Sequence, residues 1–177
     1  GLGEFPIPIS TPGFDCAPYT TASHWFTKDP ETGKINIGNY RGQIKSPTRT
    51  GVFLSSSNHG GHHWQKCKTK GIPLQAALVI GAPPPVAYTA PARVPFSVSE
   101  LDIAGGLAGR SIEVVRCKTV DLLVPAHAEI VIEGEISTEF LEPEAAFGES
   151  TGYIGEKMLN PYFEVKCITH RKNPIFA

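Results

Sequence analysis

AEIVIEGEISTEF, residues 128–140, alternates apolar and charged positions along most of its length. Ile130, Ile132 and Ile136 share one face, and Glu129, Glu133 and Glu135 the other. Successive side chains of a strand point to opposite faces, so the pattern predicts a half-buried antiparallel strand. SIEVVRCKT (111–119) and YFEVKCITHRK (162–172) alternate in the same way. The second half of the chain therefore reads as mostly β.

Working back toward the N terminus, IPLQAALVIGAPP (72–84) is a short apolar run closed by Gly and Pro, the signature of a buried strand. Residues 35–45 and 50–56 are expected to pair as strands across KSPTR, after a turn at DPETGK (29–34). The remainder of residues 1–34 reads as loop. HGGHHWQKCKTK (59–70) suits a polar helix, and a serine ahead of a helical pattern predicts another from about Val98 to Leu107. The high content of Gly (18) and Pro (16) argues against long helices. The expected class is α+β: an antiparallel barrel or strongly bent sheet with two or three flanking helices, in one domain over residues 1–177.

A net charge of −1 leaves no polybasic footprint, so neither nucleic acid nor an anionic membrane is an expected partner. No apolar run approaches the roughly 20 residues of a spanning helix. Cys16, Cys67, Cys117 and Cys167 form no CxxC pair and lie about fifty residues apart, which predicts free thiols in a reducing, cytoplasmic setting. The proline-punctuated start, GLGEFPIPISTPG, carries no initiator Met and suggests a piece of a longer chain.

Three clusters could carry chemistry. EPEAAFGESTGY (142–153) places Glu144 five residues before Glu149, around Phe147, in what Pro143, Gly148 and Gly152 mark as a loop. Carboxylates held against an aromatic ring can separate into a charged and a proton-carrying partner, although loop glutamates are usually just solvated. INIGNYRGQI (35–44) carries Asn36 and, five residues on, Arg41, an arginine able to hold a carboxylate by a bidentate pair. An odd offset would place the two on opposite strand faces unless Gly38 permits a bulge or local turn. NHGGHHWQ holds His59, His62 and His63, and Glu100 opens the second predicted helix. One His nitrogen with the oxygens of Asn36 and Glu100 suits Mn²⁺ or Mg²⁺ better than zinc, against the bland reading of a polar loop.

In this order the motifs resemble the UbiD family of decarboxylases, which use prenylated FMN. The resemblance starts at FDCAPYTT (14–21) and ends at VKCITHRKNPIF (165–176); LLVPAHAEIVIEGEI with the Glu-x4-Glu loop behind it is its most specific part. It implies a flavin-reductase-like split barrel, the middle, cofactor-binding domain of a longer chain. It implies that Asn36, His59 and Glu100 bind a divalent ion gripping the flavin phosphate, with His62 as the alternative to His59. It implies that Arg41, Glu144 and Glu149 are catalytic, with Glu149 as the general acid and base, and that Gly38 and Arg41 lie against the cofactor. The implied reaction is reversible decarboxylation of an aromatic or α,β-unsaturated acid. Its partners would be that acid, CO₂, a flavin prenyltransferase supplying the cofactor, and further copies of the full-length chain. A potassium ion would join the flavin phosphate beside the 81–100 segment. Ala145-Ala146 stands where the family usually has Gly-Pro, so the Glu-x4-Glu loop loses one rigid turn. The competing readings are a flavin-binding module that needs flanking domains for turnover, and a plain β-barrel binding protein.

Overall fold

The computed structural model describes residues 1–177. The predicted isoleucine strand is β9 (Ile130–Glu144), which pairs antiparallel with β10 (Met158–His170) and, on its other side, with β6 (Leu74–Ile80). The remaining strands of the main sheet are β1 (Tyr19–Thr20), β2 (His24–Lys28), β3 (Ile35–Gly38), β4 (Gly42–Ser46) and β5 (Arg49–Gly51). Three α-helices complete the fold: α1 (His59–Thr69), α2 (Pro84–Thr89) and α3 (Glu100–Ala108). A small hairpin of β7 (Val114–Arg116) and β8 (Leu123–Pro125) stands apart from the main sheet.

The strand order β1-β4-β5-β10-β9-β6-β2-β3 forces curvature. At about 4.8 Å per strand, a flat sheet would hold β3 and β4 about 29 Å apart. Only residues 39–41 connect them, and so few residues reach about 14 Å at most. The sheet must therefore curl until its two ends approach, which makes the split barrel. Side chains close the seam: the Trp25 indole donates to the Tyr40 carbonyl at 2.8 Å, and the His24 ring meets the Asn39 amide oxygen at 2.6 Å.

Both faces of the sheet are covered. On β6, Leu74, Ala76, Leu78 and Ile80 enter one core with Trp25, Ile132 and Phe163, while Ala77 and Val79 enter a second with Phe26, Ile37 and Val131. Cys67 of α1 joins the first core, and Val86 of α2 and Ala104 of α3 join the second. Each large apolar side chain fully buried here contributes about 1.5–3 kcal/mol.

Five expectations need correction. The span 35–45 is two strands, because the chain turns at 39–41. The Tyr40 ring lies so close over Gly38 that a Cβ there would stand 2.3 Å from the hydroxyl. The partner expected at 50–56 pairs with β4 as predicted but is only Arg49–Gly51. Residues 1–34 hold β1 and β2; HWFTK of β2 shows no alternation because Trp25 and Phe26 are buried on opposite faces. Over Ile130–Gly134 β9 is covered on both sides rather than half-buried, whereas Glu139, Phe140 and Leu141 further along it are exposed. Glu133 is buried and accepts from the Lys118 and Thr119 amides and the Thr119 hydroxyl, because the β7–β8 connection folds over that face. Finally, β9 runs through Glu144, so that residue belongs to a strand end and not to the loop.

The helix predictions stand, with Asn58 capping α1 through its side-chain oxygen and the Gly61 amide. That cap depends on a close approach: a Cβ on Gly61 would come within 1.9 Å of the Ser55 carbonyl oxygen. α1 seats His63 in the interior, its Nδ1 3.0 Å from the Thr27 hydroxyl. Burial pushes the His63 imidazole down to about 4, against a smaller upward pull from Asp29. The fold therefore favours neutral His63, whereas the unfolded chain protonates it below about 6.5. Stability from this group is complete above pH 6.5 and drains away as pH falls toward 4, by roughly 2–3 kcal/mol. Urea unfolding at pH 7.5 and 4.5 is expected to show a larger acid loss for the parent than for His63→Gln; equal losses would contradict the assignment.

Candidate active site

Two groups of polar side chains flank the 39–41 turn. On the β3 side, Asn36 is 5 % exposed and its Nδ2 donates to the Tyr40 hydroxyl at 3.3 Å and the Thr27 hydroxyl at 3.4 Å. Those bonds leave the amide oxygen as the available ligand atom. Glu100, at the first position of α3, is 2 % exposed, and one of its oxygens accepts the Ile37 amide at 3.3 Å. Ser99 sits at the N-cap of α3 with no side-chain capping bond, so the predicted serine cap is positional only. The Asn58 cap places His59 first in α1, with Nδ1 3.8 Å from Glu100 Oε1 and its ring stacked on Phe96 at 3.9 Å. His62, one turn on, meets the edge of Phe96.

Burial, and secondarily His62, lowers the His59 pKa; burial raises that of Glu100. Burial thus disfavours the charged form of each, and no Lys or Arg nitrogen pairs with Glu100. A buried carboxylate without a cation is costly. A hard divalent ion would relieve that cost, and the O, N, O donor set suits one. Asn36, His59 and Glu100 line a cavity of about 530 Å³, together with Gly38, Phe53 and Arg93. That volume lies within the usual range for small-molecule and cofactor sites.

On the β4 side, Arg41 is held from four directions. Its Nε donates to Glu144 Oε1 at 2.6 Å, and one terminal nitrogen pairs with Glu149 Oε1. The guanidinium lies over the Phe53 ring at 4.4 Å and the Phe147 ring at 4.9 Å. Such contacts add about 0.5–1 kcal/mol at exposed sites and about 2 kcal/mol when desolvated. Glu144 is fully buried, and its second oxygen accepts from Asn160 Nδ2 at 2.6 Å. Glu149, with a side chain 39 % exposed, is the carboxylate with an oxygen left over.

Of the residues singled out from the sequence, Asn36, Gly38, His59 and Glu100 fall into one cluster and Arg41, Glu144 and Glu149 into the other, while His63 is buried against Thr27. Phe53 joins the two clusters, lining the cavity while stacking on Arg41. Sequence reasoning missed Asn160, Tyr40 and Phe53. Asn160 left no signal, because the strand expected from the sequence starts only at Tyr162 whereas β10 begins at Met158.

Comparison with known proteins places these clusters in context. The family described as 3-octaprenyl-4-hydroxybenzoate carboxy-lyase, Rift-related domain, matches residues 1–177. An uncharacterized protein of Archaeoglobus fulgidus is 39 % identical over 99 % of this chain, and one of Synechocystis is 37 % identical. The chain spans about a third of those relatives, 36 % and 35 % of their lengths. Among solved structures, an evolved dimeric form of the UbiD-class enzyme HmfF from Pelotomaculum thermopropionicum, in complex with prFMN, superposes with a TM-score of 0.95 at 39 % identity. That match covers 99 % of this chain and 41 % of HmfF. The vanillic acid decarboxylase of Sedimentibacter hydroxybenzoicus matches at TM-score 0.89 and 32 % identity, over 92 % of this chain and 35 % of its own. Component B of a Bacillus cereus nitrilotriacetate monooxygenase, at 13 % identity and TM-score 0.55, shares the fold over 85 % of this chain and 69 % of its own.

Proposed function

The chain belongs to the UbiD family, and from that premise we propose that it is the prenylated-FMN-binding domain of a reversible, non-oxidative decarboxylase. The substrate would be an aromatic or α,β-unsaturated carboxylic acid. The observation that carries this reading is Arg41 held between Glu144 and Glu149, joined through Phe53 to the cavity of Asn36, His59 and Glu100.

Each side chain has a distinct task. Asn36, His59 and Glu100 would hold Mn²⁺ or Mg²⁺, whose charge neutralises the flavin phosphate. The capped N terminus of α1, lining the same cavity through Ser57 and Asn58, favours an anion there. When bound, prenylated FMN supplies the electrophile that takes up the electron pair left by departing CO₂. Glu144, with both oxygens engaged, is the anchor that fixes the guanidinium. The second terminal nitrogen of Arg41 is left to orient the carboxylate of the acid. Glu149 takes a proton at Oε2, the oxygen not engaged by Arg41, and delivers it to the carbon that loses CO₂; in the carboxylating direction it removes that proton.

The metal assignment is tested by loading. In protein co-expressed with a flavin prenyltransferase, Asn36→Ala and His59→Ala are each expected to lose metal and flavin together, read by metal analysis and absorbance, while His62→Ala keeps both. Retained flavin after both ligand changes would sink the assignment. The short span relative to the family supports a second reading, a cofactor-binding module that needs flanking domains for turnover. Bound prenylated FMN without CO₂ release by the chain alone, and with release by the longer protein, distinguishes it.

A further inference from the structure

FDCAPYTT, the stretch where the family resemblance begins, supplies none of the side chains given a task above. Its residues nevertheless reach the Glu149 loop at successive points. The Tyr19 hydroxyl donates to the Ala145 carbonyl at 3.2 Å, and the Tyr19 ring packs on Phe147 with centroids 4.6 Å apart. Asp15, 8 % exposed, accepts the Gly148 amide on one carboxylate oxygen at 2.9 Å and the Thr11 amide on the other at 2.7 Å. Gly148 is pressed so closely on Thr11 that a Cβ would stand 2.2 Å from its hydroxyl. Elsewhere the loop meets Arg41 through Glu149 and Phe147, and closes on itself through Glu149 N–H to the Tyr153 carbonyl and Gly155 N–H to the Phe147 carbonyl.

We infer that Asp15 is the positioning residue for Glu149, and that with Tyr19 it splints residues 145–149 against the N-terminal segment. This rests on the proposed role of Glu149 as the proton carrier. A proton donor on a loop needs its backbone fixed, since a displacement of about 1 Å can cost on the order of 100-fold in rate. Ala145-Ala146 offers no proline to stiffen the loop, and Phe147 and Glu149 reach Arg41 only with the loop in this position. A charge-assisted bond from a buried carboxylate to the amide beside Glu149 supplies that stiffness from outside the loop.

The test uses the full-length protein loaded with prenylated FMN, comparing Asp15→Ala and Asp15→Asn with the parent. Hydrogen exchange is followed in a peptide spanning 145–150, and CO₂ release on a panel of aromatic acids that includes vanillate and 3,4-dihydroxybenzoate. In Asp15→Ala, exchange at 145–150 is expected to quicken about tenfold while β6 and β9 stay protected. Turnover is expected to fall on the order of 10- to 100-fold in kcat with KM nearly constant. Asp15→Asn keeps one acceptor for the Gly148 amide but turns an NH2 toward the Thr11 amide, so both readouts are expected to fall between Asp15→Ala and the parent. Asp15→Ser, too short to reach Gly148, replaces Asp15→Ala if that variant does not fold. Unchanged exchange at 145–150 overturns the splint whatever the activity, and so does faster exchange with parental kcat. Turnover that survives Glu149→Gln instead overturns the role of Glu149 and leaves the exchange result intact, so the two failures are separable.

Discussion

Glu149→Gln is expected to abolish turnover and leave the flavin bound. Glutamine is nearly isosteric and its carbonyl oxygen still accepts from Arg41, so the loop and the guanidinium keep their places. What disappears is the ability to carry a proton at the second oxygen. General acid–base groups contribute about 10²- to 10⁴-fold, and the loss in kcat is expected in that range or beyond it. Glu149 has a side chain 39 % exposed and is absent from the lining of the cavity shared by Asn36, His59 and Glu100. Cofactor and metal content should therefore match the parent by absorbance and metal analysis. Parental kcat in a fully loaded Glu149→Gln protein would remove this residue from the mechanism.

Arg41→Met is the variant with the largest expected effect on stability. The arginine side chain is 11 % exposed and that of its partner Glu144 only 1 %. Methionine fills much of the same space between Phe53 and Phe147 but leaves the Glu144 carboxylate with Asn160 as its sole close donor. Breaking a buried ion pair from one side costs about 3–5 kcal/mol, because the remaining charge is desolvated and uncompensated. That is a large share of the 5–15 kcal/mol that typically separates folded from unfolded protein. Removing the stranded charge as well should repair part of the damage, so Arg41→Met/Glu144→Gln is expected to be more stable than Arg41→Met alone. Both variants are expected to be inactive. Urea midpoints decide the matter: an Arg41→Met protein as stable as its parent would show that the Glu144 carboxylate does not depend on this cation in the fold.

The pattern of residues determined a good deal. Ile130, Ile132 and Ile136 announce β9 because period-two alternation is a local consequence of strand geometry. The apolar run within 72–84 announces β6, and the Gly- and Asn-flanked histidines announce α1, for equally local reasons. Asn36-x4-Arg41 and Glu144-x4-Glu149 are visible as spacings, but their candidate roles came from the resemblance to the UbiD family, since each spacing alone fits a solvated polar loop equally well.

Tertiary structure decided the rest. β2 was invisible because Trp25 and Phe26 are buried on opposite faces, and a strand covered on both sides loses the alternation that would reveal it. Glu133 read as solvent-facing because nothing local says that the 114–125 hairpin will fold over it. Glu144 read as a loop residue because its burial depends on Arg41 and Asn160, which lie 103 and 16 residues away in the chain. The break at 39–41 is also a property of the whole sheet. It follows from an eight-strand order whose ends a three-residue link must join, and it turns an awkward odd offset between Asn36 and Arg41 into two clusters on either side of one seam. Residue type and period are fixed by the backbone's nearest neighbours. Which carboxylate is desolvated, and which cation meets it, depends on contacts that exist only once the sheet has curled.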